Sequence, residues 1–351
     1  MKTGSINLPL HYGKTPPWLF EKMRKLARCI IVCIVEEEGA EGFLQKISSP
    51  LWFQSLGCIM GFDWHSSGLT TTVCAALKEG IEGIGNELGL FIAGGKGKTS
   101  RKTPAEVEEK GGYIDVPTSS LVYASRMSAK VDSAAVQDGY QIYQHTFFFT
   151  KKGEWAVVQQ GMNLIDKYAR RYHWLSGDID FVCEPHTGIS SQRIEERVLN
   201  MVSKKSGDAR VKVAEISREH PDKITKALIT LPRRHPVLTA DIIPDRLRKT
   251  FISTYENAPQ NFEEVLSIRG VGPKAIRALA LLSELLYGTS LDFTDPARFS
   301  YAHGGKDGYP YPVDRKGYEN TISIVERAIK SARLGRRDEL DALKRLHRMM
   351  G

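Results

Sequence analysis

The run Val265-Leu266-Ser267-Ile268-Arg269-Gly270-Val271-Gly272-Pro273-Lys274-Ala275 constrains this 351-residue chain more than any other stretch. Two glycines around one apolar residue specify a turn too tight for side chains, and glycine accepts the backbone angles such a turn demands. Pro273 suits the first position of a following helix, where a missing N–H costs no hydrogen bond. The start of that helix leaves backbone N–H groups facing outward, a geometry that holds a phosphate. The flanking apolar residues complete a helix-hairpin-helix over residues 262–287, which predicts a sequence-blind clamp on nucleic-acid backbone. Forty residues after Lys274, Pro312-Val313-Asp314 places a carboxylate at a second helix start.

Charge supports a polyanionic partner. The chain carries a formal net charge of +8, and the excess is confined to one half. Residues 1–189 hold 20 Lys and Arg against 20 Asp and Glu, whereas residues 190–351 hold 29 against 21. The half with the hairpin is therefore the basic one. The five cysteines are Cys29, Cys33, Cys58, Cys74 and Cys183. They show no C-x-x-C spacing and read as reduced thiols of an intracellular protein. The longest apolar runs, such as Cys29–Val35, are too short to span a membrane. These features predict a soluble, cytoplasmic protein associated with the nucleoid, with no membrane partner.

The pattern along the chain predicts an α+β N-terminal domain, residues 1–188, followed by an all-α helix-hairpin-helix domain, residues 189–351. A helix is expected over Trp18–Val35, where Leu19, Met23, Leu26, Ala27 and Ile30 recur at helical spacing. Tyr140–Phe149 and Trp155–Gln160 read as aromatic-rich strands joined by a hairpin turn at Lys151-Lys152-Gly153. Gly94–Lys102 reads as a flexible basic loop; its glycine spacing fails the P-loop pattern, so nucleotide hydrolysis is not expected. Helices are expected over Ser191–Val202, Arg210–Arg218, Asp222–Ile229, Pro244–Tyr255, Asn261–Ser267, Pro273–Tyr287 and Gly317–Arg333. A basic amphipathic helix is expected over Arg333–Met350.

Lys274 has two readings from the residues alone. It is a phosphate contact beside the turn or, if desolvated, a free amine able to act as a nucleophile. Asp314 is a carboxylate placed for sugar chemistry or the N-cap of the Gly317–Arg333 helix. Gly270-Val271-Gly272-Pro273-Lys274 and Val313-Asp314 together resemble the helix-hairpin-helix DNA glycosylases, the superfamily that includes endonuclease III and 8-oxoguanine glycosylase. The resemblance is at the level of these motifs and covers the C-terminal half. It implies a bifunctional DNA glycosylase and AP lyase of base excision repair. Lys274 would form the Schiff base and Asp314 would stabilise the developing positive charge on the sugar. Arg269, Gly270, Gly272 and Arg277 would hold DNA phosphates, and a damaged base would be turned out of the stack.

The chain departs from that pattern in several places. Its Lys-to-Asp separation is roughly twice the usual one, and the surplus is the aromatic segment Leu291–Tyr311. Arg315-Lys316-Gly317-Tyr318 stands where the family carries a His or aromatic residue. No cysteine follows Cys183, so an iron–sulfur centre is not expected, nor any other cofactor. A non-catalytic DNA-binding protein is the alternative reading. Another is a nuclease whose site lies in the first domain, among Asp63, His65, Asp138 and His145.

In the first half, four stretches resemble a family of uncharacterised archaeal and bacterial proteins: Leu8–His11, Pro50–Phe53, Gln137–His145 and Trp155–Asn163. That resemblance implies no activity. Read physically, Gln137, Asp138, His145, Gln159, Gln160 and Asn163 form a polar set around two aromatic strands. With Tyr311 they are candidates for a base pocket, since amides pair with base edges; a satisfied polar network is the other reading. Arg170-Arg171-Tyr172-His173-Trp174 reads as a basic-aromatic nucleic-acid surface. Asp63-Trp64-His65 and Glu184-Pro185-His186 lack the spacing of a zinc or two-metal site, so no metal is expected.

Overall fold

The computed structural model describes residues 15–62, 68–165, 167–191, 193–230, 243–297 and 299–300. Three helices open the fold: α1 (Pro17–Ile47), α2 (Pro50–Ile59) and α3 (Leu69–Gly80). α1 starts on a proline and buries Met23, Leu26, Ala27, Ile30, Ile31 and Ile34 on one face before a kink at Gly39. It thus continues well past the expected end at Val35. Ser49 caps α2 by accepting a hydrogen bond from the Trp52 N–H, satisfying a first-turn donor.

A short α4 (Gly85–Leu88) leads into β1 (Leu90–Lys96) and the 3-10 turn Gly97–Lys102. The basic segment expected as a loop is therefore the end of a strand and a helical turn. α5 (Thr103–Glu109) and α6 (Thr118–Lys130) follow, and α6 runs into a π-helical turn, Val131–Ala135. The strands come next: β2 (Val136–Gln137), β3 (Tyr140–Thr150), β4 (Trp155–Asn163), β5 (Ala169–Leu175), β6 (Gly188–Ser191) and β7 (Leu199–Asn200). Helices α7 (Gly207–Ser217), α8 (Pro221–Thr230), α9 (Pro244–Asn257), α10 (Phe262–Ser267) and α11 (Pro273–Tyr287) precede β8 (Phe299–Ser300).

The main sheet has the order β1-β3-β4-β5-β6-β8, antiparallel except for the last pair, and β2 pairs separately with β7. Both faces of this sheet are covered. Ile92, Phe148, Ala156 and Val158 pack on α1–α3. Phe91, Phe147, Phe149, Trp155, Val157 and Trp174 belong to a second core that continues through Val198, Val213, Phe251 and Leu279. Two buried faces explain why Phe147-Phe148-Phe149 is a continuous apolar run rather than an alternating one.

The protein is thus mixed α/β, with its sheet in the N-terminal region and most later elements helical. The expected boundary at 188/189 falls at the start of β6, whose residues pair with β5, and the second core runs across it. The helix expected over Ser191–Val202 does not form. Val198, Leu199, Met201 and Val202 are all buried, and Leu199 and Asn200 pair with β2 instead. Adjacent apolar residues of this kind fit an extended segment buried on both sides. The segments around Asp63 and His65, and everything from Tyr301 onward, lie outside the described residues. Tyr311, Asp314 and the two expected C-terminal helices are among these.

Candidate functional site

Asn261 opens α10 by accepting the Glu264 N–H at 2.9 Å, while the Glu264 carboxylate accepts the Gln260 N–H at 2.7 Å. This reciprocal pair fixes where the short helix starts. α10 ends at Ser267, and Ile268–Gly272 turns the chain into α11. Gly270 has φ +94, a left-handed angle that side chains other than hydrogen disfavour. Gly272 precedes Pro273 with φ −132 and ψ −173, ordinary extended backbone. A Cβ built on Gly272 would meet nothing within 4 Å. Among the described residues, neither glycine's N–H finds an acceptor.

The turn is held from behind by the sheet half of the molecule. Lys130, the last residue of α6, donates to the carbonyl of Ile268 at 3.3 Å and also to that of Val271. Burial draws the Lys130 pKa down from its usual value. Gln137 of β2 donates to the Pro273 carbonyl at 2.8 Å and accepts from Arg277 Nε at 2.8 Å. The carbonyls of Ile268 and Val271 are therefore satisfied, and among the described residues the N–H groups of Gly270 and Gly272 find no acceptor, while that of Val271 is spent on the Ile268 carbonyl.

Lys274 is exposed in the first turn of α11, and Arg269 is exposed on the turn itself. Neither makes an ion pair with a described residue. Arg277 is partly buried and engaged with Gln137, which makes it a support of the turn as well as a charge. On α9, Thr250 Oγ1 lies 4.0 Å from the position of a Gly270 Cβ. Arg246 and Lys249 are exposed one turn and one residue earlier on the same helix. Asp314 lies outside the described residues, so its relation to Lys274 is not described.

The polar set of the sheet lies inside the protein. Asp138 accepts from Arg170 at 3.0 Å, from the Tyr172 hydroxyl at 2.6 Å and from the Tyr140 N–H at 3.1 Å. Arg170 also makes a two-pronged pair with Asp295 at 2.9 and 2.7 Å. Burial pushes the Asp138 carboxyl up to about 6, although Arg170 and Tyr172 draw it down. His145 and Gln159 are likewise buried and hydrogen-bonded to each other at 2.9 Å. Burial lowers the His145 pKa and favours the neutral ring. Gln137 bonds the hairpin. These four residues thus make internal contacts, and Asp138, His145 and Gln159 are buried rather than lining an open surface.

The expected basic-aromatic surface at 170–174 is corrected for the same reason: Arg170, Arg171, Tyr172, His173 and Trp174 are all buried. Arg171 donates to His173 at 2.9 Å and Gln54 at 3.1 Å. Burial, with the Arg171 charge beside it, holds His173 well below the usual histidine range.

Sequence reasoning missed Lys130 and the Asp132–His186 pair, which meets at 2.5 Å across 54 residues of chain. No local spacing signals such a contact. Among the described residues no group of three or more His, Cys, Asp or Glu side chains is arranged to hold a metal ion. Nor is any described helix long and apolar enough to cross a membrane.

No curated protein and no solved structure matches the chain. The family described as "Protein of unknown function (DUF763)" matches residues 4–313, a span that covers the sheet and the hairpin alike. The resemblance to uncharacterised proteins seen in the first half therefore extends over nearly the whole sequence, and the chain belongs to the DUF763 family.

Proposed function

We propose that this protein binds nucleic acid, with DNA as its expected partner, by gripping backbone phosphates at the Ile268–Gly272 turn and the first turn of α11. The observation that carries this reading is Gly272. Its backbone angles suit any residue, and open space surrounds the missing Cβ. The fold itself does not require glycine there, whereas a ligand approaching the main chain does. The N–H groups of Gly270 and Gly272, which find no acceptor among the described residues, and the exposed Arg269 and Lys274 supply the donors and charge that such a ligand needs. α9 adds the exposed Arg246 and Lys249.

The narrower activity implied by the glycosylase resemblance, Schiff-base attack by Lys274, needs a desolvated amine. Lys274 is exposed, which favours a phosphate contact over a nucleophile. Binding is therefore the function the geometry supports best.

Fluorescence anisotropy with labelled duplexes of several sequences tests it. Arg269→Ala and Lys274→Ala should each weaken binding to all sequences alike and flatten its salt dependence by about one unit of slope. Binding that is independent of salt, or unaffected by both substitutions, overturns the proposal. Borohydride trapping on abasic DNA separates the narrower activity. A covalent adduct lost in Lys274→Ala establishes lyase chemistry; no adduct in the wild type leaves binding alone.

A further inference from the structure

The basic segment after β1 is a built element. A Cβ on Gly94 would collide with the His145 carbonyl and with Thr103 Oγ1, so the first residue of α5 is seated against β3 at His145. The Glu106 carboxylate of α5 accepts from the Gly94 N–H at 2.7 Å and from Lys78 at 2.6 Å, which ties the strand end to that helix. Within the 3-10 turn, Ser100 donates to the Gly97 carbonyl at 2.6 Å, and Thr103 donates to the Ser100 carbonyl at 2.8 Å. Side chains three apart eclipse one another in a 3-10 helix, so Lys98 and Arg101 project from one side of the turn. Lys98, Arg101 and Lys102 are exposed, and none makes an ion pair with a described residue. The sequence from Leu90 to Ala105 contains no Asp or Glu.

This turn and the hairpin lie on the same face of the sheet. Val107 of α5, Met127 of α6, and Leu266, Val271 and Ile276 around the hairpin all belong to one core. His145 links the first two helices: its carbonyl meets the start of α5, and its Nε2 meets the Ser125 hydroxyl of α6 at 2.9 Å. Five residues further on, Lys130 holds the hairpin carbonyls, and five helical residues advance only about 7.5 Å. Arg126 lies between. Three positions before it, the Tyr123 hydroxyl donates to Glu263 of α10 at 2.6 Å; four positions after it comes Lys130. Those spacings share one helix face, so Arg126 stands on the side of α6 that meets the hairpin. It is exposed and makes no ion pair with a described residue. Gln137, which holds Pro273, and Gln144, which pairs with Lys96, are joined by at most about 25 Å of chain. The hairpin and the basic turn are therefore within about 30 Å, or roughly nine base pairs of duplex.

We propose that the hairpin is one end of a longer footprint: a single nucleic-acid duplex held at the Ile268–Gly272 turn crosses α6 at Arg126 and reaches Lys98 and Arg101, all three side chains touching phosphates. The proposal rests on the hairpin reading and adds to it a second backbone contact supplied by the sheet half of the molecule. A duplex is stiff over this length. Contacts at its two ends therefore act as linked sites on one ligand, and losing either end lowers the affinity of the whole.

Anisotropy with a duplex of about 12 base pairs, long enough to span both ends, gives affinity and salt slope, and calorimetry gives stoichiometry. Arg126→Ala should lower the slope of log K against log salt by about 0.9, and Lys98→Ala/Arg101→Ala by about 1.8. The double variant should bind at least tenfold more weakly, still one duplex per protein, with native far-UV circular dichroism. Lys25→Ala/Lys152→Ala removes the same charge from α1 and from the turn after β3 and should leave the slope unchanged. If Arg269→Ala weakens binding while Arg126→Ala or the Lys98→Ala/Arg101→Ala variant binds like the wild type, the footprint is wrong and the hairpin reading stands. If the double variant weakens binding but loss of Arg269 and Lys274 changes nothing, the hairpin reading fails and the shared footprint fails with it. A double variant that loses one of two independent sites, at unchanged affinity for the other, also overturns the footprint. Vesicles of phosphatidylglycerol present the other polyanion open to a basic strip. Binding to vesicles but not to duplex, dependent on Lys98 and Arg101, overturns the proposal as well.

Discussion

Replacing Gly272 with valine adds three carbon atoms at a point where the protein itself leaves open space. With φ −132 and ψ −173 the residue sits in the β region, which valine adopts readily. Nothing lies within 4 Å of the new Cβ. Stability should therefore hold or rise by up to about 1 kcal/mol, because a side chain narrows the unfolded ensemble. Binding should respond differently. Loss of one charge-assisted hydrogen bond to a phosphate costs about 1.5–3 kcal/mol, or roughly tenfold to a hundredfold in Kd. The slope of log K against log salt should stay nearly unchanged, because no cationic side chain is removed.

Gly270 is the internal control. Its φ of +94 is unfavourable for alanine, and Gly270→Ala should lose about 1–2 kcal/mol of stability. Urea denaturation and anisotropy at several salt concentrations measure both quantities on the same preparations. The reasoning is refuted if Gly272→Val binds like the wild type. It is equally refuted if Gly272→Val is destabilised as much as Gly270→Ala, since the glycine would then be a requirement of the fold.

Other consequences can be measured on the folded protein. Arg170→Met leaves Asp138 and Asp295 buried without their shared cation and should cost about 3–5 kcal/mol in urea denaturation. Adding Asp138→Asn and Asp295→Asn should restore most of it, and a single-variant loss below about 1 kcal/mol contradicts the ion-pair account. Burial raises the folded pKa of Asp138 to about 6, above its unfolded value of about 3.9. Its contribution to stability is therefore full below about pH 4 and is lost as pH rises through the folded pKa. The stability advantage of the wild type over Asp138→Asn should shrink by about 2 kcal/mol between pH 4 and pH 7.5; a flat difference refutes the shift. Asn261→Ala removes the cap of α10 and should cost about 1 kcal/mol, with near-zero change showing that Glu264 alone fixes the helix start.

The hairpin was legible because its signals are local. Gly270, Gly272 and Pro273 each act through their own backbone, and α11 begins and ends where apolar spacing placed it. The strands at Tyr140–Phe149 and Trp155–Gln160 were legible for a similar reason, since aromatic and β-branched residues crowd there. Arg170 and Arg171 were not. A run of arginines beside aromatics looks like surface until its partners are known, and Asp295 lies 125 residues away. The stretch from Val198 to Val202 misled because burial on both sides of a short extended segment mimics one face of a helix. The internal placement of Asp138, His145 and Gln159 could not be told from a pocket, because both use the same side chains and differ only in what covers them.

α6 and its π-helical turn deliver two contacts in quick succession. Lys130 holds the carbonyls of the Ile268–Gly272 turn, and Asp132 holds His186. The same short length of main chain therefore positions both the carbonyl side of the turn and the imidazole of His186. The two places share one support, so a substitution that displaces the end of α6 should disturb both together.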